Sequence, residues 1–361
     1  MRIWAHKGLW VAAVVALTAV SAQAQTPADE PSAVELHGSW RVWSGFGVDT
    51  NPQRNFVTPG VSVPTDVFGS LLVQMSGALD TERLHLGGTL DGGGRKFFVY
   101  SGEDTEIQSG SASLSYDLTR YLAVGVDGNG RDRRGADRDY SDLLGRAFID
   151  FFPDRRLDAR LHVGAHRFIY WDHFDYSFHA PQYGLSARYR FDKRHSLSVY
   201  GDFEPRIFNS RAVTDPNDTD PPVLGIRKDS FFGVGLSYAY RGPFQLSAEY
   251  GFADSTSNSF GQSYLRHRLA ISGGVRLPAG FLAMAQGVLA ISQYPDGVYL
   301  SQDLLVLEDD ENSSSLSLKV LHPLGRWWDI EARYGLYYAR LPNNGLSYLR
   351  QVFTIGFALH Y

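Results

Sequence analysis

Cysteine is absent from the 361 residues. That removes disulfides, Cys-ligated zinc, iron–sulfur clusters and thiol catalysis together. No sign of charge dominates. The 34 Lys and Arg stand against 39 Asp and Glu, for a net charge of −5 and a pI near 6.1. This balance argues against a basic nucleic-acid binder. A 43% hydrophobic content argues against a disordered chain. Long apolar runs are missing as well. Beyond the N-terminus no stretch approaches the ~20 apolar residues that a spanning helix needs. Almost nothing repeats at the helical period. A mean hydropathy of −0.22 then suggests a soluble protein. A membrane β-barrel gives the same impression, because every second residue faces a wet interior.

What is present begins with an address. Arg2, His6 and Lys7 precede an apolar run from Gly8 to Val20, and Ala22-Gln23-Ala24 fits the small-x-small cleavage rule. Residues 1–24 therefore read as a signal peptide, 25–36 as a short polar periplasmic leader, and 37–361 as the working part.

That part repeats period two. Phe244, Leu246, Ala248, Tyr250 and Phe252 share one face; Gln245, Ser247, Glu249 and Gly251 share the other. Trp328, Ile330, Ala332, Tyr334, Leu336 and Tyr338 alternate in the same way with Asp329, Glu331, Arg333, Gly335 and Tyr337. Sixteen such segments are expected, at 38–49, 67–79, 83–97, 106–118, 121–131, 142–152, 158–170, 179–191, 196–208, 229–240, 244–254, 262–277, 281–293, 313–321, 327–340 and 346–361. The third is interrupted by Gly92-Gly93-Gly94, and the seventh and thirteenth have blurred faces. Tight turns such as Asp80-Thr-Glu82 and Asp192-Lys-Arg-His195 alternate with longer polar loops, among them 50–66, 209–228 and 294–312.

Strands of ~9–11 residues cross a bilayer when tilted. An open sheet edge in lipid would strand its amide groups at several kcal/mol each, so the sheet must close. The expected fold is all-β: a transmembrane antiparallel up-and-down barrel of about sixteen strands, range 14–18, with the first strand paired to the last. Aromatics near strand ends read as interfacial girdles: Trp40 and Trp43, Tyr116 and Tyr121, Tyr170 and Trp171, Tyr189 and Phe191, Tyr238 and Tyr240, Trp327 and Trp328, Tyr337 and Tyr338. A soluble sandwich or propeller is the competing reading of the same alternation.

The chain ends with Phe353, Ile355, Phe357, Leu359 and Tyr361 on one face. This resembles the C-terminal signal by which bacterial outer-membrane proteins are recognised, and the whole layout resembles outer-membrane β-barrels. The resemblance implies an integral protein of a Gram-negative outer membrane. Its partners would be the barrel-assembly machinery, the surrounding lipid and lipopolysaccharide, and further periplasmic or envelope-complex partners. Gly47-Val-Asp-Thr-Asn-Pro52 resembles, over six residues, the Gly-Tyr-Asp-Ser-Asn-Pro stretch of some porin-like barrels of exopolysaccharide secretion. Val48 and Thr50 depart from it.

Alternation places charges in the lumen. The cations are Arg41, Arg83, Arg95, Arg131, Arg146, Arg160, Arg188, Arg190, Arg266, Arg268, Arg276, Lys319 and Arg333; the anions are Asp49, Asp91, Asp127, Asp150, Asp202, Glu204, Glu249, Asp329 and Glu331. Ser109, Ser111, Ser113 and Ser115 add hydroxyls. These charges either line an aqueous channel and set its selectivity, with Arg188, Arg190, Arg266, Arg268 and Arg276 attracting anionic solutes, or form paired ladders that stiffen a closed interior. Loop 209–228 is the candidate for folding inward.

His162 and His166 lie ~13 Å apart on one strand face, too far for one metal, and read as interior polar residues. The acidic loops Asp215–Asp220 and Glu308–Glu311 read as solvated, with calcium the alternative. Arg131–Asp139 reads as a mixed-charge loop tip. No Gly-x-Ser-x-Gly turn occurs outside loops. No metal, cofactor or enzymatic activity is expected. Two functions stay open: a passive pore or exit for a secreted polysaccharide, and a non-conducting docking barrel of an envelope-spanning secretion, adhesion or surface-motility complex.

Overall fold

The computed structural model describes residues 34–55, 63–136, 138–215, 218, 225–295, 314–340 and 347–361. They form one closed antiparallel sheet of sixteen strands, each paired with its sequence neighbours. In chain order these are β1 (Val34–Asp49), β2 (Asp66–Thr81), β3 (Leu84–Phe97), β4 (Thr105–Thr119), β5 (Leu122–Arg134), β6 (Tyr140–Phe151), β7 (Leu157–Tyr170), β8 (Phe178–Arg190), β9 (His195–Arg211), β10 (Ile226–Arg241), β11 (Phe244–Ser257), β12 (Tyr264–Arg276), β13 (Leu282–Gln293), β14 (Ser314–Pro323), β15 (Trp328–Arg340) and β16 (Ser347–His360). β1 closes on β16 from Arg41 opposite His360 to Asp49 opposite Val352.

Every expected strand forms, with ends within four residues of those read from the sequence. Gly92-Gly93-Gly94 does not break β3, and β7 alternates cleanly. The differences gather at the long-loop end. β5 runs on to Arg134, β9 to Arg211 and β11 to Ser257, while β10 starts at Ile226. Arg131–Arg134 is thus paired strand and not loop tip, with Arg134 opposite Glu106. Backbone pairing needs no apolar outer face once the strands leave the hydrocarbon layer, so hydropathy underestimates their length. β1 also begins inside the expected leader, at Val34. Residues 1–33, and with them the signal peptide, lie outside the described residues. So do 308–311 and most of 215–220.

The outer face is apolar. Phe46, Leu71, Val126, Ile149, Leu161, Leu185, Leu289 and Phe357 are all exposed there. The core is inverted relative to a soluble domain. The largest fully buried side chains include Arg350, Glu331 and Asp49, all on inward-facing strand positions, and Asn51 just beyond β1. Of the expected girdle aromatics, Trp327, Trp328 and Tyr189 are exposed at the tight-turn end, where Trp327 stacks on Tyr361 at 5.2 Å. Trp43, Tyr170 and Tyr337 are corrections, because their strand parity turns them into the lumen. Trp43 and Tyr170 are each 2% exposed, and Tyr337 packs against the internal cluster of Phe68, Phe97 and Val352.

Candidate functional site: the barrel lumen

The lumen wall is divided by side-chain type. Midway along β1 to β5 many inward residues are small and polar. Ser39 and Ser76 hydroxyls meet at 2.7 Å, as do those of Thr89 and Ser111. Gln74 donates to Asp91 at 3.0 Å. Because these side chains are short, the wall stays open. A cavity of about 500 Å3 runs from His37 and Ser39 near the tight-turn end, past Thr89 and Ser113, to Asn129 and Arg146. A second of about 320 Å3 shares Thr89, Ser111 and Asn129 with it and continues to Arg131 and Asp142. Together they form a trough across the inner faces of β1 to β6, lined by hydroxyls, amides and glycine backbone and by the charged Asp91, Asp127, Arg131, Asp142 and Arg146. Ser109, Ser111 and Ser113, expected to face inward, are part of it.

Elsewhere long charged side chains cross the strands and pair with one another. Arg146 donates to Asp127 at 2.7 Å, and Arg160 holds Asp150 through two bonds of 2.6 and 2.8 Å while reaching Asp127 at 3.3 Å. Arg188 and Arg190 both donate to Asp158, at 3.2 and 2.5 Å. Glu331 is fully buried beneath three cations: Arg41 at 2.6 Å, Lys319 at 2.8 Å, and Arg333. Asp329 adds Arg41 at 3.7 Å and His360 at 3.3 Å. His162 and His166 take separate carboxylates, His162 with Asp202 at 2.9 Å and His166 between Asp142 and Glu204 at 2.7 and 3.1 Å.

The arginines expected to line the pore therefore divide. Arg146, Arg188, Arg190 and Arg333 are bound in carboxylate networks. Among the described residues, the loosely paired cations lie on β12. Arg268 reaches Glu249 only at 4.0 Å, Glu249 being also the acceptor of Tyr200 at 3.1 Å. Arg266 donates to the Ser292 hydroxyl at 3.0 Å. Arg276 is exposed at the tight-turn mouth, with no carboxylate partner among the described residues. Arg83 is a correction: it sits in the turn between β2 and β3, outside the lumen, hydrogen-bonded to Tyr116.

The barrel seam explains the Gly47–Pro52 stretch. Asp49 is held by Arg350 of β16 through bonds of 2.6 to 3.1 Å, with Arg95 behind it at 3.9 Å. It also accepts the Asn51 amide at 3.0 Å. Asn51, fully buried, reaches the Asn55 carbonyl at 2.9 Å. Gly47 has no room for a side chain, since a Cβ there would enter the Phe68 ring. Lower on the seam, Gly356 and Ala358 keep the inner face of β16 bare, so that Arg41 and Trp43 of β1 reach β15 across it. Sequence inspection missed Arg350, Asp158 and Trp43 as lumen residues; strict parity along β16, β7 and β1 was the signal that locates them.

A second internal cluster fills the long-loop end on β6 to β9. Tyr140, Phe168, Phe178 and Phe208 follow one another at ring spacings of 5.2 to 5.6 Å, with Arg206 over Phe178 at 4.8 Å. Of loop 209–228, residue Val213 is tied to the neighbouring loop through Ser259 and Phe260. Its central part lies outside the described residues.

Fold and lumen together define the class: a closed sixteen-strand antiparallel barrel with an apolar outer face and a charged, partly open interior. No protein-family model and no curated protein matches the chain. Solved structures similar to it include outer-membrane expressed OmpT of Vibrio cholerae (TM-score 0.45, 9% identity, 93% of this chain and 100% of that one). A bacterial polysaccharide outer membrane secretin follows (0.43, 10%, 90% and 98%), and OccD3 of Pseudomonas aeruginosa (0.43, 9%, 90% and 91%). Likenesses this distant carry no argument about activity, which rests on the barrel's own geometry.

Proposed function

We propose that the protein is a non-enzymatic, integral outer-membrane channel through which small, uncharged, hydroxylated solutes diffuse. The observation that carries this is the open trough across the inner faces of β1 to β6. A barrel of sixteen strands is wide enough to leave an aqueous passage unless something fills it. Here the long side chains are drawn into ion-pair networks on the other walls. Hydroxyl and amide groups along the trough exchange hydrogen bonds with water and sugar-like solutes. The charge excess near Arg266, Arg268 and Arg276 adds a mild preference for anions.

In this reading the long loops face outward and the termini face the periplasm. The exposed faces of Phe353, Ile355, Phe357 and Tyr361 are what the assembly machinery engages. A polysaccharide exit is the narrower form of the same chemistry. The docking-barrel alternative draws on the internal aromatic and charged clusters, which narrow the loop end.

Single-channel recording in planar bilayers tests the proposal. The wild-type barrel gives discrete conductance, and Ser111→Trp, which places an indole in the trough, lowers it by about half or more. Electrical silence of a folded wild-type barrel sinks the channel and favours docking. Swelling of proteoliposomes in neutral oligosaccharides of increasing length then separates a small-solute pore from a polysaccharide exit.

A further inference from the structure

The outer face of β7 to β10 carries a row of basic groups on adjacent strands. Arg167 of β7 is opposite His179 of β8; His179 is opposite Ile207 of β9; Ile207 is opposite Lys228 of β10. Strand spacing makes the row ~14 Å wide. Arg167, His179 and Lys228 are exposed, and among the described residues none has a side-chain ion pair. From end to end, the outward residues of these four strands include no carboxylate. This contrasts with Arg134 on β5, which is neutralised by Asp132 at 2.7 Å.

Directly below the row lie Ala165, Pro181, Pro205 and Ser230, and below those Val163, Tyr183, Phe203 and Phe232, all four exposed. The height fits an interface. The ten residue steps from Leu157, level with girdle Tyr189, to Arg167 rise ~25 Å on a tilted strand, the height of a barrel's apolar band. A cation at the centre of that band would cost ~2–4 kcal/mol, but near the interface only ~0–1.

We propose that this face docks a phosphorylated glycolipid of the surrounding outer leaflet. Its phosphates meet Arg167, His179 and Lys228, and its acyl chains lie on Val163, Tyr183, Phe203 and Phe232. The proposal rests on the membrane-spanning reading but not on conduction. An acidic protein would match the cations but not the apolar rows beneath them. A diacylated lipid headgroup matches both.

The probes are bisphosphorylated lipid A and its dephosphorylated form, added to the full-length barrel in nonionic detergent and counted by native mass spectrometry. Each basic residue near an anionic surface contributes roughly fivefold. Arg167→Gln with Lys228→Gln should therefore lower retention of the bisphosphorylated lipid about 25-fold, with heat-modifiable gel mobility unchanged. Wild-type retention should favour the phosphorylated form by at least a similar factor. Equal retention of the two lipids overturns the proposal, as does unchanged retention by the double variant or its conversion of a dimer to monomers. Full competition by inorganic phosphate also overturns it. If the double variant fails to fold, the two-lipid comparison on wild type decides alone. A barrel that stays folded and monomeric in water without detergent refutes the membrane reading itself, which is a separate result.

Discussion

Arg350→Met should loosen the barrel at its seam. Arg350 is 2% exposed and Asp49 is fully buried, so neither is freely solvated when its partner is removed. Breaking a buried pair from one side costs about 3–5 kcal/mol. The structure places the two single substitutions differently within that range. Removing Arg350 leaves Asp49 with Arg95 at 3.9 Å, so the loss falls near the lower end, about 3 kcal/mol. Asp49→Asn takes the carboxylate from between Arg350 and Arg95, and falls near the upper end, about 5 kcal/mol. The double variant Asp49→Asn/Arg350→Met removes both charges and keeps an acceptor for the Asn51 amide. It should cost less than either single change. The assay is equilibrium urea unfolding in lipid vesicles, followed by tryptophan fluorescence and gel mobility. Additive losses in the double variant, or single losses below about 1 kcal/mol, the range of an exposed pair, would show that water already solvates the seam and refute the reasoning.

Further outcomes follow from the other walls. Glu331→Gln leaves Arg41, Lys319 and Arg333 around a neutral group. It should destabilise by about 3 kcal/mol or more in the same unfolding assay, and Lys319→Met should recover part of the loss. Arg268→Gln should shift the reversal potential in a salt gradient toward cations. Arg146→Gln with Asp127→Asn, which removes a pair and no net charge, should not. The turn carboxyls set an acid limit. Asp154 accepts the amides of Arg156 and Leu157 at 2.6 and 2.8 Å, and Asp192 those of Arg194 and His195 at 2.6 and 2.9 Å. These bonds hold both carboxyls below the usual carboxylate range. Their stabilisation is therefore complete above the unfolded-state value and is lost as pH falls through the lowered one. Carboxyl NMR titration of the two residues checks the direction, and midpoints at or above the ordinary value would contradict it.

Strand number, strand order and the inward or outward sense of most residues were legible in the residues themselves. The pleat turns successive side chains to opposite faces, and lipid outside against water inside writes that alternation into the composition. This is a local property, readable at Phe244–Phe252 or Phe353–Tyr361 without knowledge of any partner. Loop-end extensions such as Arg131–Arg134 were not legible, because above the bilayer the outer face loses its apolar signature while the pairing continues. Nor did the aromatics at strand ends declare themselves: Trp43 and Tyr337 differ from Trp328 and Tyr338 only in parity, and only parity sends them inside.

What tertiary structure alone decided is who meets whom across the lumen. Arg41 reaches Glu331 from 290 positions away because closure brings β1 beside β16 and bare Gly356 and Ala358 let it pass. Register and closure are properties of the whole sheet. They turn a slightly basic list of inward charges into paired networks on most walls, a basic stretch on β12, and one open trough rich in hydroxyls.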